Sequence, residues 1–193
     1  MLPRELTLRD GSRIDVRPIA PSDAPTLRAS FERLSDESRY RRFLTPMPHL
    51  GARLVRYLTE VDHHDHEALV ALEHGTGTGV GVARFVRLDG DTAEAAVTVA
   101  DDWHGRGVAT LLLESLAVRA REEGVRRFVA VMLPENQEMR DVLEGMGPVR
   151  EIGHEPGLVE VELELPADGV GPHLHALLCE AAREDGPTAV RRH

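Results

Sequence analysis

The feature of this sequence that most constrains its fold is a glycine-containing segment between an apolar strand and an amphipathic helix. The segment runs from Asp102 to Leu111 and reads DWHGRGVATL. The residues just before it, 93–99, are mostly small or β-branched, which favours a buried strand. Behind it, apolar residues recur at helical spacing as far as Gly124, a predicted C-cap. The N–H groups of Gly105 to Thr110 are therefore predicted to lie at a helix N-terminus, where phosphate groups bind well.

Three kinds of phosphate-binding loop, and an ordinary glycine-rich turn, can produce such a segment. A Walker loop needs a lysine after its last glycine, and the chain contains no lysine. A dinucleotide-binding loop needs a third small residue near Thr110 and an acidic residue at the end of the next strand, where Met132-Leu133-Pro134 stands instead. The remaining pattern, Gln/Arg-x-x-Gly-x-Gly/Ala, corresponds to residues 104–109, with His104 in its first position.

Composition narrows the class of protein. The chain has 193 residues, which suits a single domain with a hydrophobic core. Its net charge of −10 argues against a nucleic-acid-binding surface, because such surfaces cluster positive charge. The single cysteine, Cys179, favours a reducing compartment, and no stretch is long and apolar enough to span a membrane. We therefore expect a cytoplasmic protein without nucleic-acid or membrane partners, either a monomer or a homodimer.

The predicted order of strands and helices begins with a hairpin around Asp10-Gly11. Ser22 and Ser35 are predicted N-caps of two helices, and a third helix is predicted over 49–58. There follow three strands, the glycine loop with its long helix, a strand, a helix ending at Met146 and two final strands. Residues 1–166 are predicted to form one domain, and the tail, 167–193, is predicted to contain a short helix over 174–183.

This order of elements and the loop at 104–109 resemble the GNAT superfamily of acyl-CoA-dependent N-acyltransferases. The resemblance covers about residues 10–165. It narrows to the catalytic domains of bacterial protein-lysine acetyltransferases through the segments Ser38-Arg39-Tyr40-x-Arg42-Phe43, His66-x-Ala68-Leu69-Val70-Ala71 and Ala93-Glu94-x-Ala96. It implies an α/β (α+β) fold whose central mixed, mostly antiparallel sheet is splayed between the fourth and fifth core strands and flanked by helices.

The resemblance also implies an activity. The protein would transfer acetyl from acetyl-CoA to an amine by direct attack in a ternary complex, and the acceptor would be a protein lysine, for example in an acyl-CoA synthetase. Two other functions stay open, a small-molecule amine acetyltransferase and a non-catalytic acyl-CoA sensor or interaction module. All 23 basic residues are arginine, which codon bias in a GC-rich genome would explain. A lysine acetyltransferase of this composition could not acetylate its own side chains.

By the same resemblance, each part of the site is matched to residues of this chain. A lysine amine is seldom neutral at pH 7, so the attack needs a proton acceptor, and Glu94 in an otherwise apolar strand is the matching general base. Backbone groups of Val97 and Val99 would contact pantetheine and the thioester oxygen. Asn136 would contact CoA or simply cap the next helix. The pyrophosphate would bind His104, Gly105, Arg106, Gly107, Val108, Ala109 and Thr110.

The chain departs from the family pattern at positions that matter for chemistry. Leu143 stands where a general-acid tyrosine is frequent, and His104 stands where glutamine or arginine is usual. The segment Asp62-His63-His64-Asp65-His66 gathers imidazole and carboxylate groups, but its spacing does not fit a closed zinc site. We therefore expect no metal, and we expect this loop to line the acceptor side.

Overall fold

The structure is a computed structural model that describes residues 5–167 and Gly171. The described strands are β1 (Glu5–Thr7), β2 (Arg13–Pro18), β3 (His66–Glu73), β4 (Gly79–Asp89), β5 (Thr92–Val99), β6 (Arg127–Met132), β7 (Val149–Glu155) and β8 (Leu158–Glu164). The described α-helices are α1 (Ala24–Glu32), α2 (Asp36–Phe43), α3 (Ala52–Thr59), α4 (Val108–Glu122) and α5 (Gln137–Met146). The helix predicted over 174–183 lies outside the described residues.

All these strands form one sheet in the order β1-β2-β3-β4-β5-β6-β8-β7. Neighbouring strands are antiparallel except β5 and β6, which run parallel. Strands β5 and β6 pair only from Thr92 to Glu94, opposite Arg127 to Val129, whereas β6 pairs with β8 along its full length. The parallel strands therefore diverge beyond Glu94. This confirms the predicted mixed sheet, with the splay between the fourth and fifth core strands when β2 is counted as the first.

The two faces of the sheet are covered by different helices. Successive side chains of a strand point to opposite faces, and in β3 Leu69 and Ala71 belong to the main core, whereas Ala68 and Val70 belong to a smaller one. Helix α4 packs on β3, β4 and β5 over the main core, and α5 packs on α4. Helices α1 to α3 cover the other face of the same half of the sheet.

Two helix N-termini differ from the sequence prediction. Ser35 caps α2 as predicted, since its hydroxyl accepts the N–H of Ser38 at 3.2 Å. Helix α1, however, begins after Asp23 and not after Ser22, since Pro21–Asp23 form a separate turn of 3-10 helix whose Asp23 carboxylate accepts the N–H of Ala20 and pairs with Arg17. Helix α3 begins after Gly51 and not at residue 49, in keeping with the low helix propensity of glycine.

Replacing Leu116 of α4 with alanine is expected to lower the free energy of unfolding by about 2–5 kcal/mol. Leu116 is 0% exposed within the main core, so the truncation leaves a cavity. The matched control is Leu88→Ala at a side chain that is 55% exposed, which should cost less than about 0.5 kcal/mol. Urea unfolding of the three proteins measures both values, and equal losses would contradict the packing of α4.

Candidate active site

A tight loop joins β5 to α4, and its shape depends on two glycines. Residues Asp101–Trp103 form one turn of 3-10 helix, and the chain then reaches Gly107, the N-cap of α4. Gly105 and Gly107 have φ angles of 72° and 85°, a left-handed conformation in which other residues are strained. The first N–H groups of an α-helix have no acceptor within it. The structure therefore places the N–H groups of residues 108–110 at an open helix N-terminus.

The basic side chains of this loop are engaged with the protein itself. His104 donates its Nε2–H to the carbonyl oxygen of Val99 at 3.0 Å. The guanidinium of Arg106 lies over the indole ring of Trp103, 4.7 Å from its centroid, and 3.5 Å from the carboxylate of Asp10. The loop therefore presents backbone N–H groups, and not its own basic side chains, to an anion.

The divergence of β5 and β6 opens a cavity of about 420 Å³ beside this loop. That volume lies in the range of small-molecule sites in proteins. Of the residues predicted to contact the cofactor, Arg106 does not line the cavity. The others all do, and they are Val97, Val99, His104, Gly105, Gly107, Val108, Ala109, Thr110 and Asn136.

Backbone groups of β5 point into this gap. The N–H of Ala100 donates to the carbonyl oxygen of Val80 at 2.8 Å, which sets the alternation of hydrogen bonds between β4 and β5. By that alternation, the N–H groups of Val97 and Val99 point away from β4, toward the space that β6 leaves. An extended polar ligand could bind these groups in the way that a neighbouring strand does.

Asn136 lies at the opposite wall of the cavity. Its side-chain oxygen accepts the N–H of Met139 at 3.3 Å, which makes it the N-cap of α5. The same residue lines the cavity. The structure confirms the capping role, while contact with a ligand stays a prediction.

Helix α2 forms a further wall of the cavity. Ser38 and Arg41 line the cavity, as does Trp103 of the preceding turn. The Asp101 carboxylate attaches α2 to the loop by accepting the N–H of Ser35 at 2.7 Å and the hydroxyl of Ser38 at 2.6 Å. The single tryptophan next to the glycines could have indicated from sequence that Trp103 belongs to the site. The contact of Asp101 with α2 could not be predicted in this way, because it joins residues more than sixty positions apart.

Glu94 is the last residue of β5 that pairs with β6, so it lies where the two strands begin to diverge. Its side chain is exposed and does not line the cavity. The apolar sequence of the strand therefore does not enclose this carboxylate. The nearby guanidinium of Arg42 attracts it, and Arg42 is half-buried and lines the cavity. Loss of solvent lowers the pKa of Arg42, and the attraction to Glu94 opposes that change.

A second arginine on the same face holds His66 in place. Arg84 is 6% exposed and donates to the carbonyl oxygen of Leu58 and to Nε2 of His66, both at 3.0 Å. The ring of His66 packs against Tyr57, with 4.9 Å between the centroids. Burial and the charge of Arg84 lower the pKa of His66 to about 4, and burial lowers that of Arg84 to about 9. Because a guanidinium only donates hydrogen bonds, His66 is neutral.

His66 should make the protein sensitive to mild acid. Its pKa of about 4 lies below the ordinary 6.5, so between these pH values the unfolded chain binds a proton that the folded chain does not. The free energy of unfolding therefore falls as the pH falls through this window. Wild type is expected to lose more stability across it than His66→Gln, measured by urea unfolding. An NMR midpoint near the ordinary value would contradict the contact with Arg84.

Hydrogen bonds organise the histidine-rich loop at 62–66, and the described part of the chain contains neither a metal-binding cluster nor a membrane-spanning helix. The Asp62 carboxylate accepts the N–H groups of His64, Asp65 and His66 at 2.8–2.9 Å, so hydrogen bonds organise this histidine-rich loop. No group of three or more His, Cys, Asp or Glu side chains among the described residues is placed to hold a metal ion. None of the described helices combines the length and the apolar character needed to cross a bilayer.

The splayed sheet, the glycine loop and the cavity between them define a class of protein. Residues 13–149, most of the chain, match the family model described as Acetyltransferase (GNAT) domain. The chain therefore belongs to the GNAT acetyltransferase family.

Its relatives include named bacterial acetyltransferases. The chain is 37% identical over 167 residues to Acetyltransferase Pat of Mycolicibacterium smegmatis, which covers 85% of this chain and 49% of Pat. It is 33% identical over 144 residues to Acetyltransferase PA5475 of Pseudomonas aeruginosa, which covers 73% and 77% of the two chains.

Solved structures give the same relationship. The GNAT domain of S. lividans PAT superposes with a TM-score of 0.78 at 38% identity, covering 83% of this chain and 96% of that one. A cAMP-binding acyltransferase from Mycobacterium smegmatis gives 0.61 at 32% identity, covering 93% and 53%. The chain thus spans about half the length of Pat and of this acyltransferase.

Proposed function

We propose that this protein transfers the acetyl group of acetyl-CoA to the side-chain amine of a lysine in another protein. One observation carries the proposal. The cavity beside the glycine loop lies along the diverging part of β5, and Glu94 is the last paired residue before that divergence. A donor in the cavity would therefore have its reactive end near a carboxylate.

The cavity suits a donor with a pyrophosphate at one end and an amide-containing arm at the other. The N–H groups at the start of α4 suit the pyrophosphate. A Cβ built at Gly105 or Gly107 would meet no protein atom within 4 Å, so the rest of the protein does not cover the loop at these two glycines. With the pyrophosphate at the loop, the N–H of Val99 suits the pantetheine arm, and the N–H of Val97, nearer Glu94, suits the thioester oxygen.

In the proposed reaction, the lysine nitrogen attacks the thioester carbonyl carbon. The C–N bond forms, the C–S bond breaks, and sulfur leaves as a thiolate, while the attacking nitrogen loses its second proton to water. The lysine ammonium, with a reference pKa near 10.4, first gives its proton to Glu94, directly or through water. Of the two N–H groups, that of Val97 lies nearer Glu94, so we propose that Val97, and not Val99 as the resemblance implied, donates a hydrogen bond to the thioester oxygen as negative charge develops there.

Solvent protonates the departing thiolate in this scheme. Leu143, at the position where the family often has a tyrosine, is 2% exposed in the main core and cannot act as an acid. Neither tyrosine of the chain, Tyr40 or Tyr57, lines the cavity. A thiol with a pKa near 8.5 is a good enough leaving group without a side-chain acid.

The choice of a protein lysine rests on similarity to relatives and not on the cavity. The supporting observations are the motifs shared with bacterial protein-lysine acetyltransferases and the identity to Pat over 85% of this chain. We propose an acyl-CoA synthetase as the first acceptor to test. The reaction would take place in the cytoplasm, without nucleic acid, membrane or metal.

Mass spectrometry of a bacterial lysate, incubated with the purified protein and isotope-labelled acetyl-CoA, tests the acceptor. Labelled acetyl-lysine is expected on proteins that include an acyl-CoA synthetase, and it should be absent with the Glu94→Gln variant. Because the chain has no lysine, it adds no acetyl-lysine of its own. If label is found only on small amines, the acceptor is a small molecule and not a protein lysine. No transferred label at all would indicate an acyl-CoA-binding module.

A further inference from the structure

Acetyl-CoA carries several phosphate charges, and few side chains of the cavity can neutralise them. The chain itself has a net charge of −10. Arg106 of the loop lies over Trp103 and does not line the cavity. Among the described residues that line the cavity, the guanidinium groups are those of Arg41 and Arg42. A phosphate-binding cation must therefore come from α2.

The two arginines of α2 face different parts of the site. Arg42 is attracted to Glu94, which places it toward the proposed acceptor. Arg41 instead pairs with Glu37, one turn earlier in α2, at 2.6 Å and with Glu138 of α5 at 3.2 Å. Arg41 is thus the cation on the donor side of the cavity.

The Arg41–Glu138 ion pair joins two walls of the cavity. Helix α2 packs on β5, whereas α5 packs on α4, and both charged residues line the space between these helices. Glu138 lies in the first turn of α5, two residues after Asn136. Its carboxylate would repel a phosphate group, and its contact with Arg41 occupies a cation that a phosphate group could use.

We propose, on the basis of the proposed function, that Arg41 binds a phosphate group of CoA and that the Arg41–Glu138 pair is a strap that opens to admit it. The Glu138 side chain is 78% exposed, and exposed ion pairs are weak because water and salt screen them. Hydrogen bonds from a guanidinium to two phosphate oxygens are stronger. The exchange of partners therefore favours donor binding and releases α2 from α5.

Calorimetry of CoA binding to four proteins tests the strap: wild type, Arg41→Gln, Glu138→Gln and the double variant. Arg41→Gln is expected to weaken binding about tenfold. Glu138→Gln is expected to tighten binding about fivefold, because Arg41 no longer has to leave Glu138 and keeps only the pairing with Glu37 of its own helix. The same Glu138 change should tighten binding by less than about twofold in the Arg41→Gln background, where only the repulsion of phosphate is relieved and there is no cation to release.

The outcomes separate this inference from its alternatives. Glu144→Gln removes the same charge from an exposed position of α5 that does not line the cavity, and it should bind CoA like wild type. Equal tightening by Glu138→Gln in wild type and in Arg41→Gln would show that Glu138 acts only by repelling phosphate, and it would overturn the strap. Unchanged affinity in Arg41→Gln would overturn the phosphate-binding role. A folded wild type that binds no CoA would instead overturn the proposed function.

Discussion

Replacing Glu94 with glutamine is expected to lower kcat for acetyl transfer by at least about a hundredfold, because a general base contributes about 10²–10⁴-fold. Glutamine keeps the shape of the side chain but cannot accept a proton from the lysine. The affinity for CoA should stay within about twofold of wild type, since Glu94 does not line the cavity. Kinetics at saturating acetyl-CoA and calorimetry measure the two quantities.

The matched control is Glu164→Gln, at an exposed glutamate on β8, which is separated from β5 by β6 and does not line the cavity. This variant removes the same charge and should keep the kcat of wild type. Unchanged kcat in Glu94→Gln would remove Glu94 from the mechanism. Loss of CoA binding together with kcat would indicate that Glu94 acts in donor binding and not in proton transfer.

Replacing Gly107 with valine is expected to abolish detectable CoA binding. Valine is strained by roughly 1–2 kcal/mol in left-handed backbone, and Gly107 has a φ of 85°. A Cβ there would meet no protein atom within 4 Å, so the new side chain would occupy the open space at the helix N-terminus. Each charge-assisted hydrogen bond that is lost weakens binding by about tenfold or more. Calorimetry with CoA measures the effect.

The matched control, Gly75→Val, distinguishes the effect of backbone strain from the effect of blocking the proposed CoA site. Gly75 has a φ of 84° in the turn between β3 and β4, and a Cβ there also meets no atom within 4 Å. Both variants should lose similar stability in urea unfolding, and only Gly107→Val should lose CoA binding. Normal CoA binding by a folded Gly107→Val variant would show that this loop is not the pyrophosphate site.

Short-range patterns predicted most of the architecture. The apolar stripe of α4, the two glycines before it and the cap at Ser35 are set by residues within a few positions of each other, and the structure has all three. The order of these elements was part of the resemblance to the GNAT superfamily, and that resemblance implied a splayed sheet. Ser22 is not the N-cap of α1 because it lies inside the 3-10 turn Pro21–Asp23, which is joined to β2 by the Asp23–Arg17 ion pair, a contact that local sequence does not encode.

Some contacts of the site residues are made with residues far along the chain, and the sequence did not predict those contacts. For His104 and Arg106, the structure shows short-range contacts with Val99 and Trp103, and phosphate binding by these two residues stays a prediction. The wall formed by α2 depends on an aspartate far along the chain, Asp101. The surroundings of Glu94 were also not encoded in its own strand, because the nearby guanidinium belongs to α2.

Release of free thiol from acetyl-CoA, followed with a purified acyl-CoA synthetase as acceptor, measures whether the protein transfers acetyl to a protein lysine. We expect release that depends on the acceptor, stays in step with acetyl-lysine formation, and falls to background in both Glu94→Gln and Gly107→Val. Wild-type protein that binds acetyl-CoA but releases no more thiol than Glu94→Gln, with protein or small-amine acceptors, would contradict the proposed function.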